Sequence, residues 1–132
     1  MIPTAILLLA AQPAPPAPQG GDGIVVIGER LKSWRGRVSP TGQAMRCITE
    51  RSTGDADIDR IGCDTMVTCI TPMRGRIQQA SDRRRPRAER QALEASYSRD
   101  LTACFTRERD RRIADLAERR YEARNRNQNA QD

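Results

Sequence analysis

A chain of 132 residues with 37% hydrophobic and 30% charged side chains has room for one small domain and little apolar material for its core. Its aromatic supply is Trp34, Tyr97, Phe105 and Tyr121, so the rings that usually provide much of a small core's buried area are scarce. The net charge is +6, Lys32 is the single lysine among many arginines, and histidine is absent; this excludes Ser-His-Asp and Cys-His hydrolases, histidine-ligated zinc and haem-histidine sites.

Residues 2–11 form a short apolar run ending in the small residues Ala10 and Ala11. The run is about half the length needed to cross a bilayer and has the length of a signal-peptide hydrophobic region, which makes export the expectation. Residues 12–23 are rich in proline and glycine and read as a linker. Ile24-Val25-Val26-Ile27, between Gly23 and Gly28, is a β-branched run that reads as a minimal strand. Trp34 follows among basic residues.

Residues 43–50, with Cys47 inside, read as a second extended segment, and Ser52-Thr53-Gly54-Asp55 as a turn supplying helix caps. The spacing predicts a helix over 55–71. Ile58, Ile61, Met66 and Cys69 share one face, Asp55, Asp57 and Asp59 crowd the first turns, and Pro72 ends it. A longer helix is predicted over 82–126, with Leu93, Tyr97, Leu101, Cys104, Phe105, Ile113, Leu116, Ala117 and Tyr121 along one stripe. Charge interrupts that stripe at Glu108 and Arg109. Ser81 is its candidate N-cap, and Pro86 must fall in its first turn. From Asn125 the chain is Asn- and Gln-rich and reads as a disordered tail over 125–132.

Four cysteines in an exported chain predict two disulfides. On one helix Cys63 and Cys69, six positions apart, point about 120° away from each other, so they do not pair. Cys69 lies on the apolar face of the shorter helix and Cys104 on the stripe of the longer one. The favoured bridges are therefore Cys69–Cys104 and Cys47–Cys63. Zinc is a poor fit to gaps of fifteen, five and thirty-four residues, and a catalytic thiol lacks both a C-x-x-C and an activating histidine. Asp55, Asp57 and Asp59 open like a calcium loop, but Arg60 stands where glycine is needed and Met66 where the bidentate glutamate belongs. No catalytic residue, metal or cofactor is expected.

Two stretches carry resemblances. Gly23 to Leu31, around Ile-Val-Val-Ile, resembles the TonB box of TonB-dependent outer-membrane receptors, although Ile27 replaces the usual threonine. The resemblance implies strand pairing with an envelope partner through Ile24, Val25, Val26 and Ile27. Residues 24–72, with Ser52-Thr53-Gly54-Asp55, Ile58-Asp59, Ile61-Gly62-Cys63, Met66 and Cys69, resemble a group of uncharacterised small exported proteins of Gram-negative bacteria, which implies a periplasmic setting.

The expected architecture is mainly α: a short extended N-terminal segment and two helices, cross-linked by two disulfides in a single domain over 24–124. The expected function is that of a periplasmic or secreted, non-enzymatic binding or accessory protein, with an envelope protein or an anionic surface as partner. The alternative is a cytoplasmic arginine-rich helical protein that binds nucleic acid. Acids interleave the arginines, as in Arg107-Glu108-Arg109-Asp110-Arg111-Arg112, a pattern that suits a salt-bridged helix better than a phosphate track.

Overall fold

The computed structural model describes residues 20–131; the predicted signal segment and most of the predicted linker lie outside them. The described chain runs α1 (Gly20–Leu31), β1 (Arg35–Thr41), β2 (Ala44–Arg51), α2 (Ala56–Ile70), a 3-10 turn (Thr71–Met73), α3 (Arg74–Ser81) and α4 (Arg87–Asn129). It is mainly helical, with one two-stranded antiparallel sheet.

The first correction falls on Ile24–Ile27, which are helical within α1 rather than extended. The reason lies in spacing. Gly23, Ile27 and Leu31 recur every four residues and so share one helix face. Gly23 and Gly28 lie against Ala117 and Ile113 of α4, Ile27 is only 2% exposed, and Leu31 packs on the same cluster. Burial of this face outweighs the modest helix penalty of four consecutive β-branched residues. Residues 20–23 of the predicted linker belong to the same helix.

After Leu31, backbone bonds from Lys32, Ser33 and Trp34 back to Glu29, Arg30 and Leu31 tighten the chain, and it enters a hairpin. β2 matches the expected extended segment, whereas β1 was not foreseen. Thr41 pairs with Ala44 across a two-residue loop. Gly42 takes a φ of +61° at the first loop position, where a tight hairpin turn demands glycine. Pro40, which argues against an interior strand, is tolerated at an exposed position of this small sheet.

α2 forms close to its expected limits. Asp55 is its N-cap, accepting from the N–H groups of Asp57 at 3.1 Å and Ile58 at 3.3 Å. Its buried residues are Ile58, Ile61, Gly62, Thr65 and Cys69, a stripe at three- and four-residue steps.

The helix predicted over 82–126 is corrected at both ends. Pro72 closes α2 but fits the 3-10 turn, and the chain resumes as α3. Ser81 donates back to the Ile77 carbonyl at 2.9 Å and so ends α3 instead of capping α4. Residues 82–86 form a turn closed by Arg85 N–H to the Asp82 carbonyl. Pro86, with ψ of 142°, is the N-cap of α4, and the helix does not extend back to Arg85 because a proline disfavours helix in the residue before it. At the other end α4 continues through Asn125 to Asn129, where a disordered tail was expected. Its 43 residues span about 65 Å.

The core is small: Ile27 from α1, Ile58 and Ile61 from α2, and Ile113, Leu116 and Ala117 from α4. Leu93, Tyr97, Leu101 and Phe105 of the predicted stripe are half-buried, and Tyr121 is exposed.

Trp34 joins the hairpin to the helices. Its indole lies between Gly36 of β1 and Gly62 of α2, and Nε1 donates to Thr49 Oγ1 at 3.3 Å. A Cβ on Gly62 would sit 2.5 Å from the ring's fused carbons, a contact that side-chain flexing cannot relieve. Gly62→Ala is expected to lower stability by about 2 kcal/mol, the usual scale of core overpacking. The check is urea unfolding followed through Trp34, the single tryptophan.

Candidate functional site

The described residues carry three arrangements that bear on function. The first is the cysteine set. Cys47 and Cys63 are bonded with Cα atoms 5.5 Å apart, joining β2 to α2, and Cys69 and Cys104 with Cα atoms 5.8 Å apart, joining α2 to α4. Both pairings follow the favoured reading, and no cysteine is free. The two bridges differ in setting. Cys69 is fully buried, whereas Cys47 and Cys63 are half-buried and Cys63 Sγ lies 3.7 Å from the Thr49 hydroxyl.

The second is the acid-arginine network where three helices meet. Asp55, besides capping α2, receives Arg120 Nη2 of α4 at 2.8 Å on both carboxylate oxygens and has Arg30 of α1 at 3.6 Å. Burial works against its charge. The hydrogen bond from Arg120, the Ile58 N–H and the Arg120 charge outweigh burial and hold the carboxyl below its usual 3.8. Asp59 is treated in the same way: burial is outweighed by bonds from the Ser52 hydroxyl and from the Thr53 N–H and hydroxyl. The aspartates that suggested a calcium loop are thus spent on helix capping and interhelical ties. Among the described residues no group of three or more acidic or thiol side chains is arranged to hold a metal.

A carboxyl lowered in the folded state stabilises the fold above its unfolded pKa, and that contribution fades as pH falls through the folded value. Asp55→Asn, which keeps a capping oxygen but loses the charge, is expected to cost about 1 kcal/mol at pH 7, because Arg30 and Arg120 are partly in water and screened. The gap to the native chain should close as pH drops below about 3.8. Urea midpoints of the two chains at pH 7 and in acid test this.

The third is the apolar face of α1. Ile24, Val25 and Val26 are 44%, 63% and 57% exposed, while Ile27 is buried in the core. The four residues expected to bind a partner are therefore divided: three are available on a helix surface and one holds the fold. Sequence reasoning missed the Asp55–Arg120–Arg30 contact and the Trp34–Gly62 packing. Each joins residues from separate elements and leaves no local pattern.

Along α4 many arginines are taken up by acids. Glu108 holds Arg111 at 2.8 Å and Arg112 at 3.6 Å, and Arg112 also reaches Asp64 of α2 at 3.5 Å. The hydrogen bond from Arg111 is the main cause of a lowered Glu108 carboxyl. The charged interruption of the stripe is thus ion-paired within α4, and Arg112 adds one tie across to Asp64 of α2. No described helix is long and apolar enough to cross a membrane. No protein-family model matches the chain, and no curated protein or solved structure matches it either.

Proposed function

We propose that this chain is an exported, non-enzymatic binding or accessory module whose thin core is stapled by two disulfides. The observation that carries the reading is that all four cysteines are paired, each bridge linking separate elements, a state that persists in oxidising compartments and not in a reducing cytosol. The apolar run over residues 2–11 supports the same compartment.

The contact surface of this module is the outer face of α1. Because Ile24 to Ile27 are helical, a partner meets the exposed side chains of Ile24, Val25 and Val26 around one turn of a helix, and the strand addition implied by the TonB-box resemblance does not apply to this conformation. The ion-paired arginines of α4 weaken the nucleic-acid alternative.

Two experiments test the reading. A reporter enzyme active only outside the cytoplasm, fused to the C-terminus, should be active and should lose activity when Leu8→Arg breaks the apolar run; activity independent of that change contradicts export. A photo-crosslinking residue at Val25 or Val26 should give a discrete adduct in cells. One at exposed Ala114 of α4 should not, and equal patterns at both positions contradict the α1 surface.

A further inference from the structure

Beneath Trp34 the packing leaves an open apolar pocket of about 250 Å³. Its walls are two facing helical rows and the end of a third helix. Gly62 and Met66, one turn apart on α2, face Phe105 and Arg109, one turn apart on α4, and Leu31 closes the α1 end. The space exceeds the roughly 150 Å³ that suffices for a benzene ring. Its lining includes a tryptophan, a phenylalanine, a leucine and an adaptable methionine thioether, a set suited to aliphatic or aromatic groups, with the buried Thr65 as a polar wall residue.

The charge at its mouth belongs to Arg109. Asp110 takes Nε and Nη2 of that guanidinium at 3.2 Å, and Nη1 has no hydrogen-bond partner among the described residues. Arg109, its partner Asp110 and Leu31 also line a second depression of about 330 Å³, which runs beside α1 past Lys32 to Ile24. Lys32 in turn is held by Glu29 at 2.6 Å. An apolar chamber thus opens beside a guanidinium that retains a free donor, with a second cation further along the groove.

We infer that this pocket is a binding site for a small apolar carboxylate of the medium-chain acyl type, its chain seated under Trp34 among Met66, Phe105 and Leu31, and its carboxylate on Arg109. Burial of the chain supplies most of the affinity. The charge-assisted bond to Arg109 supplies the preference for a carboxylate over an alcohol or a cation. The pocket under Trp34 shares no lining residue with the α1 outer face, which only the adjoining depression touches, at Ile24, and it does not depend on export.

Trp34, as the single tryptophan, reports occupancy directly. The purified, oxidised chain is titrated with decanoate, 1-decanol and decyltrimethylammonium, each below its aggregation limit, while Trp34 emission is followed. Decanoate should give a saturable change. Decanol should bind about tenfold more weakly, the scale of one charge-assisted contact, and decyltrimethylammonium more weakly still. Arg109→Gln alters a half-exposed side chain outside the core. It should leave the circular dichroism and thermal midpoint unchanged while lowering decanoate affinity to that of decanol. Absence of a saturable decanoate response, equal affinity for the three probes, or full decanoate affinity in a folded Arg109→Gln chain each overturns the assignment.

Discussion

Replacing Cys69 and Cys104 together with alanine is expected to lower the free energy of unfolding by about 4 kcal/mol, the loop-entropy value for a bridge closing 35 residues. A small domain holds about 5–15 kcal/mol in total, so this one change removes a large part of the fold's margin. Two features make the loss hard to recover. Cys69 is completely buried on the stripe of α2 that carries Ile58 and Ile61, so the bridge also fixes the helix face on which the core depends. The chain between the two cysteines contains α3 and the turn at residues 82–86, and α3 itself buries no residue fully. The thermal midpoint should fall by roughly 20 °C. Removing Cys47 and Cys63 instead should cost about 3 kcal/mol, for a loop of 16 residues, and should loosen the hairpin first. Urea unfolding of both double variants measures the order; a Cys69/Cys104 variant as stable as the native chain contradicts the account.

Ile58→Ala carries the second large effect, about 3 kcal/mol. Ile58 is fully buried where α1, α2 and α4 meet, in a cluster of only six residues, and truncation removes transfer free energy and leaves a cavity. Collapse around the cavity is restrained, because the Ile58 N–H is held by Asp55, which also binds Arg120 of α4. Ile58→Val, which deletes one methyl group, should cost about 1 kcal/mol. A denaturant midpoint that falls in this order with an unchanged slope identifies a stability effect within a fold that remains two-state.

What could be read from the sequence depended on how local the cause was. α2 was legible because its cap, its acidic first turn, its apolar stripe and Pro72 all lie within one segment. The disulfide pairing was legible for a related reason: once 55–71 is helical, the directions of Cys63 and Cys69 separate their partners. α1 was misread because β-branched propensity is a local signal, whereas the burial of Ile27 against Ile58 and Leu116 is not. β1 escaped notice because Gly36 and Pro40 disguise it, and its partner lies across a turn whose one strong marker is Gly42. The break at residues 82–86 was masked by helix-forming arginines on both sides. The pocket under Trp34 had no sequence signal at all, since Leu31, Gly62 and Phe105 meet only in the folded chain.

A thin helical core is held by two disulfides, in a chain we propose to be exported. The most direct measurement is intact mass and peptide mapping, with and without reduction, of the protein recovered from fractionated cells. The expected result is a periplasmic or secreted chain, shortened by its apolar N-terminal run and lighter by four hydrogens than its reduced form. Its linked peptides should join Cys47 to Cys63 and Cys69 to Cys104. A full-length cytoplasmic chain carrying four free thiols would contradict it.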